Sequence, residues 1–161
     1  MNPLQTAILR HTTADGLHHF DWLLAGSQIV LPDARETLCW RCPRLLTEMA
    51  VREHMIVQAL CKHRGLYLTL KGAHELDGGR GTVEPVAHGW AQEFQTEINT
   101  TETNLAAPHT TSGKMELTTP TQIMKERMFV LRFEHNPILF VSLQGDRLTR
   151  VEHVADVNLF G

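Results

Sequence analysis

The chain reads as a mostly β domain (α+β), a barrel or sandwich with a flanking helix. Three observations predict this. Short runs alternate apolar and polar residues with the period of two that a half-buried strand needs. Gly, Pro, Asn and Asp punctuate those runs at near-regular spacing, and one stretch carries a helical stripe. The 161 residues are most simply one domain, 1–161, with enough chain for a real core.

The elements follow in order. Ile8 to Leu24 reads as strand, turn, strand, with Asp15-Gly16 at the turn. Side chains two apart on a strand share a face, so His19 and Asp21 project together while Phe20 and Trp22 project oppositely. Pairing across the turn brings His11 beside them. Gln28 to Leu31 reads as a short apolar strand broken at Pro32, and Leu38 to Cys42 as a strand anchored by Trp40 and stopped by Pro43. Leu45, Met49, Ile56 and Leu60 fit a helical stripe, which predicts a helix over 45–60. Leu66, Leu68 and Leu70 alternate with Tyr67 and Thr69 as in a strand, and Glu75 to Gly81 is a polar, glycine-rich loop. That loop leads into Thr82-Val83, a strand, whereas a phosphate-cradling loop opens a helix. Residues 94–120 are rich in Thr, Glu, Asn and Ser and read as a long mobile loop. Phe129 to Phe133 and Ile138 to Leu143 flank a His135-Asn136-Pro137 turn. Gln144 to Arg147 turns the chain again toward a last strand, Leu148 to Val154.

Composition excludes some functions. A formal charge of −3 argues against broad coating of nucleic acid, though not against binding an end in a local pocket. No apolar run approaches the roughly 20 residues of a membrane helix, and the N-terminus lacks a secretory pattern, so a cytoplasmic protein with no membrane partner is expected. Three cysteines do not make a disulfide framework. Cys39 and Cys42 have C-x-x-C spacing, and Cys61 with His63 would complete a structural zinc site. The C-x-H spacing of that second pair is unusual for zinc, and buried thiols are the simpler reading.

The opening hairpin carries the sharper chemistry. Two imidazoles and a carboxylate on one face, from His11, His19 and Asp21, make a three-ligand site for a divalent transition metal. The plainer reading is a His-rich polar face in a chain with ten histidines. His18 adjoins His19, and alternation selects His19 because only it shares a face with Asp21.

Four blocks in order resemble the 3′-phosphoesterase domain of bacterial DNA ligase D and its stand-alone relatives. They are His11 with Leu17-His18-His19-Phe20-Asp21; Leu38-Cys39-Trp40-Arg41-Cys42-Pro43; His63 with Tyr67 and Gly72; and Gly78-Gly79-Arg80-Gly81-Thr82-Val83. They cover about the first 85 residues, and the remainder is similar only in being β-rich. The resemblance implies a compact β-barrel with one or two flanking helices and a Mn²⁺-type metal in a groove. It implies removal of a 3′-phosphate or 3′-ribonucleotide from nucleic-acid ends in DNA repair, and it allows for a ligase or polymerase partner.

Position by position, His11, His19 and Asp21 would hold the metal. His63 would contact phosphate or transfer a proton, with Tyr67 beside it. Arg64 and Arg80 are phosphate-contact candidates because an arginine fork matches a phosphate. Two positions depart from the pattern: Leu23 stands where ligase-linked members have arginine, and Lys71 where an acidic residue is usual. An enzyme and a catalytically weak or inactive end-binding or repair-partner-binding module both fit those substitutions.

Overall fold

The computed structural model describes residues 2–97 and 125–152. Its strands are β1 (Leu4–Thr12), β2 (His18–Leu24), β3 (Arg35–Cys42), β4 (His54–Ile56), β5 (Gln58–Ala59) and β6 (His63–Arg64). They continue with β7 (His74–Glu75), β8 (Thr82–Glu97), β9 (Lys125–Phe133), β10 (Leu139–Gln144) and β11 (Arg147–Val151). All pairings are antiparallel, in the order β4-β11-β10-β9-β8-β1-β2-β3-β5, with β6 on β3 and β7 on β8. The mostly β class is thus as the alternation predicts.

Alternation splits the core between the sheet's two faces. Ile8, Trp22, Leu24, Trp40 and Cys42 belong to one cluster with Phe129, Leu131 and Leu148. Ala7, Leu9, Leu23 and Cys39 belong to the other, with Tyr67, Leu68 and Val83. Trp22 stacks on Trp40 with centroids 4.7 Å apart, and Phe129 meets the same two rings edge-on at 5.2 and 6.4 Å. In a flat sheet β3 and β9 would lie about 19 Å apart, at roughly 4.8 Å per strand. Their contact shows that the sheet curls, with the Trp22 cluster on the inner face and the Ala7 cluster on the outer.

Several expected elements take another form. In place of a helix over 45–60 there is a 3-10 turn, Leu46–Glu48, then β4 and β5. Arg52 sits at a φ of 71°, which ends any helix, and Glu53 binds the Ala50 N–H through its side chain. From His54 to Gln58 burial alternates strictly, with Met55 and Val57 inward. The β-branched Ile56-Val57 pair suits that period, and docking against β11 decides it. Among the described residues helical structure is limited to 3-10 turns, so the flanking helices are not found there.

Gln28 to Leu31 is a bend with Ile29 and Leu31 76% and 59% exposed, and among the described residues no strand pairs with it. Leu66 to Leu70 is not a strand either; Gly65–Leu68 forms a 3-10 turn that buries Tyr67 and Leu68. A Cβ on Gly65 would stand 2.4 Å from the Leu31 carbonyl oxygen, an approach only glycine permits. Phe94 to Glu97, expected to begin the long loop, continue β8. Residues 98–120 of that loop, and 153–154 of the last expected strand, lie outside the described residues.

Candidate metal centre and its cavity

The β1–β2 hairpin builds the centre. Gly16 at φ 82° and bonds from Thr13 N–H to Leu17 O and Gly16 N–H to Thr13 O form the turn. The Asp15 carboxylate accepts from the Thr13 hydroxyl and the Leu17 N–H, which hold it below the usual carboxylate range. The register this fixes pairs His11 with His19 and Leu9 with Asp21. The three candidate ligands therefore share the outer face. His18, the neighbour that alternation rejects, is exposed against Phe20.

Among the described residues, His11, His19 and Asp21 form a group whose ligand atoms all lie within 4.8 Å of one another. His19 Nε2 is 3.3 Å from Asp21 Oδ1, and His11 Nδ1 is 3.7 Å from Asp21 Oδ2. His19 Nε2 and Asp21 Oδ1 are both buried without a hydrogen-bond partner. Leaving two such atoms unpaired costs about 1–3 kcal/mol each. A cation between them would relieve that cost, so the residues fit a metal.

The tautomers fit as well. His11 Nε2 lies 2.8 Å from the Arg80 carbonyl oxygen, to which it donates its N–H. That leaves the Nδ1 lone pair toward Asp21, the outer-shell arrangement that orients metal-binding imidazoles. Burial pushes His19 below the usual imidazole value, against the pull of Asp21, so it stays neutral and ligand-ready at neutral pH. Burial also pushes the Asp21 carboxyl up, only partly offset by His19 and His11.

The Arg80 carbonyl is delivered by Gly81, whose φ is 98° and whose Cβ would fall 2.0 Å from the Thr12 carbonyl oxygen. Gly79 also has positive φ but open space around it. Gly81→Ala is therefore expected to destabilise by about 2 kcal/mol or more, and Gly79→Ala by about 1. Paired denaturant titrations check this, and equal losses would show that the Gly81 approach carries no special weight.

A cavity of about 840 Å³ opens over the centre. His11, Asp21, His63, Arg64, Tyr67 and Arg80 all line it, whereas His19 does not. His63 Nδ1 donates to the Cys61 carbonyl at 2.8 Å, which leaves Nε2 as its basic nitrogen. Tyr67 is 8% exposed, its ring edge-on between His63 and His74. The Tyr67 side-chain hydrogen bond to Arg64 pushes that guanidinium up, and its carbon sits 5.8 Å from the ring centroid. Arg80 Nε donates to the Asp77 carbonyl at 2.9 Å, so its side chain partly serves its own turn.

Compared with family models, with curated proteins and with solved structures, the chain matches none. The site is therefore read from its residues. Two wall residues escaped the sequence reading: Arg35 and Arg41, both on β3. Arg41 pairs directly across from Asp21. The signal was there, because Arg41 alternates with the inward Trp40, but its register against β2 was needed to see it.

The zinc alternative lacks its geometry. Cys39 lies in the outer cluster and Cys42 in the inner, three residues apart on one strand and so on opposite faces. Burial pushes the Cys42 thiol up to about 12 and Cys39 higher still, leaving both as inert core thiols.

Proposed function

We propose that the chain is a metal-dependent phosphoesterase acting on nucleic-acid 3′ ends, removing a 3′-phosphate or a 3′-ribonucleotide in repair or end processing. One observation carries the reading: the paired, unsatisfied His19 Nε2 and Asp21 Oδ1 beneath a cavity walled by two histidines and four arginines. The resemblance to the ligase D 3′-phosphoesterase domain supplies the substrate class. A divalent transition metal, Mn²⁺ in this reading, supplies Lewis-acid activation of a phosphoryl oxygen and of water at neutral pH.

The chain's own residues do the rest. Asp21 and the two imidazoles would hold that metal on the outer face and so set where the reacting phosphate sits. Arg41, Arg64 and Arg80 offer guanidiniums to the charge spread over its equatorial oxygens. Arg41 brings from β3 the positive charge that the resemblance places on β2, where Leu23 is fully buried. His63 Nε2 accepts a proton from water or returns one to the leaving oxygen. A closed barrel follows in the same reading, since the edge strands β4 and β5 are joined through Val57 alone. A cytoplasmic setting and a ligase or polymerase partner belong to it too. Among the described residues no helix is long and apolar enough to cross a membrane.

A second reading keeps the metal but not the turnover: a module that binds nucleic-acid ends or a repair partner. Leu23 in the arginine position favours it. The test incubates the protein with Mn²⁺ and a labelled primer-template carrying a 3′-phosphate or one 3′-ribonucleotide, with His19→Ala in parallel. Product from the wild type and none from His19→Ala supports the enzyme. Stoichiometric metal and tight end binding without product would replace it with the binding module.

A further inference from the structure

The segment that bears His63, Arg64 and Tyr67 runs across the outer face as a strap, and it is fastened at both ends. At the front, Gly65 N–H bonds to Ala34 O at 3.1 Å and Leu66 N–H to Pro32 O at 3.0 Å. At the back stands His88, half-buried on β8. Its Nδ1 is 3.0 Å from the Leu68 carbonyl oxygen, and its Nε2 is 2.9 Å from that of Leu70.

Both partners are pure acceptors. A neutral imidazole has one N–H and one lone pair. Between two carbonyl oxygens it makes one hydrogen bond and turns its lone pair against the other oxygen. Only the imidazolium donates to both, and charge-assisted bonds are roughly twice as strong as neutral ones. We propose that His88 is a positioning residue, a doubly donating imidazolium that clamps the strap to β8 and so holds Tyr67 in the wall of the cavity.

The surroundings are mixed in charge. Lys71 on the strap and Arg132, Glu134 and His135 at the end of β9 and its turn line the same cavity as His88. Gln5 and Thr6 on β1 are uncharged. Lys71 and Arg132 oppose a further positive charge and Glu134 favours one, so the two carbonyls supply the specific demand for it. The clamped strap holds a proton that a released, neutral His88 gives up. By linkage, clamping is favoured as pH falls and weakens as pH rises through the window in which histidines change charge. This holds whatever substrate the cavity takes.

The test uses the whole chain, by side-chain ¹⁵N NMR and by hydrogen exchange at about pH 5.5 and about pH 8.5. At the lower pH both His88 ring nitrogens should carry protons, the signal being assigned by its absence from His88→Arg. After correction for intrinsic rates, the 65–72 segment should exchange about tenfold faster at the higher pH, reflecting the lost charge-assisted bond. His88→Arg, with several fixed donors, should keep slow exchange at both pH values, and His88→Leu fast exchange at both. A single neutral tautomer in the wild type at about pH 5.5 would overturn the clamp. So would strap exchange that is independent of pH and the same in both variants. The wild-type NMR decides even where a variant does not fold.

Discussion

Asp21→Asn is expected to abolish stoichiometric binding of a divalent transition metal while leaving the fold intact. Asp21 is 4% exposed, and its Oδ1 has no hydrogen-bond partner. The substitution keeps the shape and removes the charge, which is the part a cation needs. The metal-free protein should not suffer. Burial raises the Asp21 carboxyl above its ordinary value in the folded state, so the folded chain binds that proton more readily than the unfolded one. The stability it contributes is then full below the unfolded value and lost as pH rises through the raised one. At neutral pH metal-free Asp21→Asn should be at least as stable as metal-free wild type. Adding Mn²⁺ at about 100 times its Kd should stabilise the wild type by about 2.7 kcal/mol and the variant not at all. Elemental analysis with thermal unfolding measures both, and a variant that keeps its metal would move the site elsewhere.

His63→Ala is expected to reduce turnover of a 3′-end substrate by about 10²–10⁴-fold, the range for loss of a general acid or base. Metal content should stay the same, because His63 lies outside the three-ligand group. His63 Nδ1 is committed to the Cys61 carbonyl, which leaves Nε2 for the cavity. His63→Gln keeps a polar group there but no titrating one, so it should recover little. Turnover and metal stoichiometry measured on the same samples separate the roles. Metal lost together with activity would make His63 a ligand or its support.

The hairpin was the most legible part of the sequence. Strand alternation is local, so it placed His19 with Asp21, put Trp22 on the other face and rejected His18 without any tertiary information. The Asp15-Gly16 turn then fixed His11 opposite His19. What was not legible depends on partners distant in sequence. The 45–60 segment carries a helical stripe, yet pairing with β11, which lies some 90 residues on, makes its second half a strand. The leucines at 66, 68 and 70 alternate, yet the carbonyls of this segment are taken by His88 rather than by a neighbouring strand. Arg35 and Arg41 entered the cavity through the register of β3, and the Arg80 carbonyl reached His11 through the close approach of Gly81. In each case a long-range contact overrode or completed a local pattern.

The most direct test of the central claim is anomalous diffraction from crystals grown with Mn²⁺. The expected result is one strong peak enclosed by His11 Nδ1, His19 Nε2 and an Asp21 carboxylate oxygen, on the outer face beneath the arginine-lined cavity. A peak at Cys61 and His63 with this trio left empty, or no peak under saturating metal, would contradict it.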